Sequence, residues 1–117
     1  MNANELRIGN FLTHIKSGKY IQFKSFEGLH NVYMNPEVYA PIPLTEEILL
    51  KCEFEDEMLE WSIIRDVNEI SFAGEFDGEN FEFTAGEGIP LSRKIKYLHE
   101  LQNLYFALTG KELTVNI

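Results

Sequence analysis

Between Ser92 and Leu113 the apolar residues recur with the period of a helix. Tyr97, Leu98, Leu101, Leu104, Tyr105 and Leu108 fall on one arc, while Lys96, His99, Glu100 and Asn103 fill the opposite side. Ser92 offers a hydroxyl to the unpaired amides of a first turn, and Gly110 stands where a C′ residue turns left-handed. The pattern predicts one long C-terminal helix over residues 93–108. Near the N-terminus a period of two prevails. Leu6 and Ile8 lead into a turn at Gly9-Asn10, and Phe11, Leu12 and Ile15 begin an extended run. Ser17-Gly18 turns the chain into Tyr20-Ile21-Gln22-Phe23-Lys24, and Leu29, Val32 and Tyr33 suggest one more strand before Asn35-Pro36. Residues 5–34 therefore read as a short β-meander.

The middle of the chain repeats the contrast. Pro41-Ile42-Pro43-Leu44 is an extended connector that delivers the chain to Thr45, an N-cap, with Glu46 and Glu47 at the positive end of a short helix over 46–53. Trp61, Ile63 and Ile64 lie in a strand. Two alternating runs, Ile70 to Phe76 and Phe81 to Phe83, then flank Asp77-Gly78, a strong hairpin signal. A two-residue loop (Phe76 facing Glu79) and a four-residue loop (Phe76 facing Phe81) both place Ile70, Phe72, Phe81 and Phe83 on one side. Gly86, Gly88 and Pro90 break the sheet, and Leu113, Val115 and Ile117 alternate as a terminal strand. The expected fold is α+β: an antiparallel sheet, made of the N-terminal meander and the central hairpin, covered by one long C-terminal helix and one short helix. Residues 1–117 are expected to form a single domain.

Charge changes this picture. The chain carries a net −9, and residues 46–87 hold fourteen acids against only Lys51 and Arg65, a net −12. Such a surface repels phosphate backbones, so direct nucleic-acid binding is disfavoured, whereas a basic protein partner is attracted. The plainer reading is an acid-rich surface that keeps the protein soluble. A hydrophobic fraction of 44% marks an ordinary globular chain, yet no apolar run approaches the length that crosses a bilayer. MNANELRIGN lacks the apolar stretch of a signal peptide, and the lone Cys52 fits a reducing compartment. A cytoplasmic location with no membrane association is expected.

Three segments in this order, ELRIGN at residues 5–10, PIPLTEEILLK at 41–51 followed by Glu53-Phe54, and LHELQNLYFALTGKEL at 98–113, resemble a family of small proteins encoded by Bacteroidetes genomes and by their phages or integrated elements. The resemblance covers the ends and the middle of the chain. It implies a context, a bacterial or phage cytoplasm and a mobile-element setting, and it carries over no catalytic or binding residue.

No constellation of catalytic residues is found. His14, His30 and His99 have no partner at metal-ligand spacing, and one cysteine cannot complete a thiolate site. His99 reads as a solvated or hydrogen-bonded histidine on the helix's polar face, and Cys52 as buried filler. Gly86-Glu87-Gly88 precedes a helix but lacks the Gly-Lys-Ser/Thr of a phosphate loop. Neither an enzyme nor a cofactor or metal is expected. Glu53, Glu55, Asp56, Glu57 and Glu60 gather carboxylates at a helix exit; they read as a solvated acidic turn or, with Trp61 beside them, as a partner-binding patch. The favoured function is a non-enzymatic protein-interaction module of phage or mobile-element origin acting through this acidic surface. Two alternatives stand beside it. One is a small-ligand-binding or accessory enzyme domain, with a pocket between sheet and long helix and His99 or Tyr105 as polar contacts. The other is a homo-oligomer built through an edge strand or the flank at Phe106.

Overall fold

The computed structural model describes residues 5–57, 60–64, 71–85, 89–90 and 94–117, and for 55–57, 60–64, 71–73, 83–85, 89–90, 108 and 109 the backbone alone. The fold is α+β with antiparallel sheets, and the chain packs into two compact units. The first comprises residues 1–43 and 97–112; the second comprises residues 44–96 and 113–117.

The first unit is built on a three-stranded sheet of order β2-β1-β3, with β1 at Phe11–His14, β2 at Tyr20–Gln22 and β3 at Tyr39–Ala40. Leu12 pairs with Ile21 and is fully enclosed, forming a core with Phe23 and Val32 against which Leu6, Leu29 and Tyr39 pack. The meander expectation fails after β2. Residues Phe26–Met34 form a helix, α1, where a third strand was expected. Ser25 decides it by accepting a hydrogen bond from the Gly28 amide, an N-cap, while Leu29 and Val32 sit three apart and meet the core from a helix face. Asn35 ends α1, and a 3-10 turn at Pro36–Val38 leads to β3.

The C-terminal helix, α3, spans Leu98–Thr109. The long helix from Ser92 is therefore not what forms. Ser92 itself lies outside the described residues, but Lys94, Ile95 and Lys96 are not helical. Ile95 exchanges two backbone hydrogen bonds of 2.7 Å with Phe81 inside the second unit, and a residue so paired cannot join a helix. The helix end was legible: Gly110 is left-handed at φ 72° and donates to the Phe106 carbonyl. The buried face is rotated from the expected arc, since Leu98, Leu101 and Tyr105 are joined inside by His99 and Gln102.

The second unit holds α2 at Glu46–Lys51, where Thr45 accepts from the Ile48 amide and Ile48, Leu49 and Cys52 are buried. Its five-stranded sheet has the order β4-β5-β6-β7-β8, with strands Glu55–Glu57, Glu60–Ile64, Ser71–Phe76, Phe81–Ala85 and Ile89–Pro90. The Asp77-Gly78 hairpin adopts the four-residue loop, with Phe76 opposite Phe81. Phe81 is fully buried and meets Phe54 edge to face at 5.5 Å. The expected terminal strand does not form; residues 112–117 are irregular, with Asn116 donating to the Lys51 carbonyl. Among the described residues no helix is long and apolar enough to cross a membrane.

Candidate functional site

The acid-rich segment folds into neighbouring strands, and their register orders its charges. Glu57 lies opposite Glu60, Glu60 opposite Glu75, and Glu75 opposite Glu82. Directly opposed residues of antiparallel strands share a face, and strands lie about 4.8 Å apart. Four glutamates thus occupy one row across β4, β5, β6 and β7. The adjacent row is Asp56, Trp61, Gly74 and Phe83, on the alternate face. Like charges placed directly opposite one another destabilise a sheet, so the row works against folding.

Of the six residues singled out in the sequence, Glu57 and Glu60 stand in this row, and Glu55 is two residues along β4 with the same parity. Asp56 and Trp61 belong to the alternate row. The side chains of Glu55, Asp56, Glu57, Glu60 and Trp61 lie outside the described residues. Glu53 is exposed in the reversal after α2, at a left-handed φ of 68°. The solvated turn expected here is instead the edge strand β4, reached through the buried Phe54; charged residues on an edge resist pairing with other chains. Glu75 and Glu82 were missed. Their signal was the alternation on either side of Asp77-Gly78, which with a four-residue loop forces them opposite one another.

At the end of this row an open groove of about 400 Å³ is lined by Glu75, Phe76, Asp77, Asn80, Glu82 and Lys94. The Asp77 carboxylate accepts from the Asn80 amide at 2.7 Å and the Glu79 amide at 2.9 Å, which holds its carboxyl below the ordinary value, with the nearby Lys94 adding to the effect. The side-chain oxygen of Asn80 is buried without a hydrogen-bond partner. Cys52 is no competitor for chemistry, because burial pushes its thiol up to about 12. Among the described residues no group of three potential ligands is placed to hold a metal ion.

The first unit carries a different polar cluster, which joins the ELRIGN segment to α3. The Gln102 side chain accepts from the Phe11 amide at 3.0 Å and donates to the Gly9 carbonyl at 2.9 Å. Asn10 donates to Asn103 at 2.9 Å and accepts from the Arg7 amide at 2.7 Å. Arg7 pairs through both terminal nitrogens with Glu112, and its guanidinium lies 4.3 Å from the centroid of the Phe106 ring. Asn10 and Gln102 are buried, and every bond is spoken for within the fold. These residues hold the structure together.

His99 differs. It is 1% exposed, stacked on Tyr97, and neither ring nitrogen has a hydrogen-bond partner; the nearest carboxylate is Glu5, 3.6 Å from Nε2. The solvated polar-face position expected from periodicity is therefore wrong, because α3 packs with this side inward. Burial lowers the His99 pKa, with Glu100 and Glu5 pulling the other way. Folding thus keeps the ring neutral below its ordinary 6.5, and the unfolded chain takes up the proton first. Stability is intact above that value and falls as pH drops from it through the lowered folded value. Denaturant midpoints measured from pH 7.5 to 5 are expected to decline for the native chain and to decline less for His99→Phe, which keeps a ring on Tyr97. Equal declines would remove His99 as the cause.

No family model, curated protein or solved structure matches the chain.

Proposed function

We propose that this chain is a non-enzymatic protein-interaction module and that the row Glu57, Glu60, Glu75 and Glu82, with the groove at its end, is the binding face. The observation that carries this reading is the register itself. A solubilising surface needs carboxylates but gains nothing from lining four of them up, and each like-charged opposition costs about 0.2–1 kcal/mol. A basic protein surface laid along the row would relieve that repulsion on binding. The segment resemblance to Bacteroidetes and phage proteins supports a bacterial cytoplasm and a mobile-element setting, where such a face could occupy a nucleic-acid-binding protein's site. His99 and Tyr105, the polar contacts of a ligand-binding alternative, are enclosed in packing at 1% and 2% exposure.

Glu75→Gln with Glu82→Gln tests both halves of the reading. The double variant is expected to be more stable than the native chain by about 1 kcal/mol in low salt, since it removes like-charge contacts. In affinity capture from bacterial lysate it is expected to lose the basic proteins that the native chain retains at low salt and releases at high salt. A variant that is stabilised yet captures the same proteins would make the row a solubility feature only.

A further inference from the structure

We propose that the β1–β2 hairpin of one copy of this chain docks on the acidic groove of a second copy. The inference rests on the groove being a docking face and names its occupant. Residues 8–26 contain Lys16, Lys19 and Lys24 and no acid, in a chain whose net charge is −9. All three lysines are exposed, and among the described residues none is paired with a carboxylate. Ile15 is 55% exposed and Tyr20 42% exposed on the same hairpin, so the tip offers apolar surface between its charges.

That tip is also built to keep its shape. The His14 ring is 2.8 Å from the Ser17 hydroxyl and accepts from the Ser17 amide; Gly18 donates to the His14 carbonyl, and Lys19 donates to the Ser17 hydroxyl. A tip ordered beforehand loses little entropy on docking. The groove offers the complement: exposed Glu75 and Asp77 with the half-buried Glu82, and Phe76 beside them. A lysine ammonium can meet Glu75 and Glu82, which stand directly opposite one another, while its stem lies along the groove. Lys94 lines the same groove and weakens the attraction without reversing it, since the groove sets three carboxylates, Glu75, Asp77 and Glu82, against one ammonium. A nucleic acid is the less favoured occupant of the hairpin, because the rest of the molecule repels it.

Sedimentation velocity of the full chain at about 50 mM and about 500 mM NaCl tests this, the screening length falling from about 14 Å to about 4 Å between them. The native chain is expected to form dimers or longer assemblies at low salt and monomers at high salt. Lys16→Glu with Lys19→Glu, and separately Glu75→Lys with Glu82→Lys, are expected to be monomeric in both; mixing the two variants is expected to restore assembly, because each supplies the surface that the other lacks. A native chain that is monomeric at low salt, assembly that survives either reversal, a mixture that stays monomeric, or assembly that collapses on nuclease treatment would each overturn the proposal. If only the occupant is wrong, the groove reversal abolishes capture of basic lysate proteins while the native chain remains a monomer. If the groove itself is not a docking face, that reversal alters neither capture nor assembly.

Discussion

Gly74→Ala is expected to destabilise the second unit by about 2 kcal/mol and to lower the melting temperature by about 8 °C. Gly74 lies in β6, opposite Trp61 on one side and Phe83 on the other. A Cβ built there would stand 2.5 Å from Phe81 Cζ and 2.7 Å from the Glu82 carbonyl oxygen. Neither neighbour yields easily. Phe81 is fully buried, packs on Phe54, and is tied to Ile95 by two backbone bonds; the carbonyl belongs to the paired strand β7. Overpacking of this kind costs about 3 kcal/mol, and removing a strand glycine returns about 1 kcal/mol through the unfolded chain. Combining Gly74→Ala with Phe81→Leu separates the cause. If the ring is what the new methyl meets, the double variant costs clearly less than the sum of the two single ones. Additive costs would place the strain elsewhere.

What the sequence discloses and what it hides divide along physical lines. Local chemistry is legible where one residue type answers one backbone need: Thr45 capping α2, Gly110 closing α3, Asp77-Gly78 turning a hairpin. Where a nonlocal partner decides, it is not. Lys94-Ile95-Lys96 continues the helical spacing of Leu98 and Leu101, yet the Phe81 backbone claims Ile95 for a strand-like bridge. Leu113, Val115 and Ile117 alternate like a strand, but residues 112–117 stay irregular. Leu29, Val32 and Tyr33 suit an extended run as well as a helix face, and the Ser25 cap decides for the helix.

The acidic face shows the same division. Composition locates the charges between residues 46 and 87, but their order depends on which strand lies beside which. Glu57 and Glu60 were within reach of local reading, since they stand only three residues apart in the chain and pair directly. Glu60 meeting Glu75 required knowledge that β5 pairs with β6, and only that pairing joins the two local pairs into one row.

Gln102→Leu is expected to cost about 3 kcal/mol, more than any change to the charged rim of the same cluster. A glutamine is ordinarily left in solvent, yet Gln102 is 1% exposed because its amide can give and receive at once. It accepts from the Phe11 amide at the start of β1 and donates to the Gly9 carbonyl. Leucine fills a similar volume and answers neither. The Gly9 carbonyl keeps a second donor, Gln22 at 3.2 Å, and Asn10 keeps Asn103, so the deficit falls chiefly on the Phe11 amide. A buried donor stripped of its acceptor costs about 1–3 kcal/mol, and the lost bond to Gly9 adds about 1 kcal/mol. Glu112→Gln is the contrast. It breaks the Arg7 ion pair, but the Glu112 side chain is 51% exposed and water screens the pair, so less than about 1 kcal/mol is expected. Urea midpoints rank the two variants, and hydrogen exchange at the Phe11 amide locates the damage. A large loss for Glu112→Gln with little for Gln102→Leu would mean that the rim, rather than the buried amide, fastens the N-terminal segment to α3.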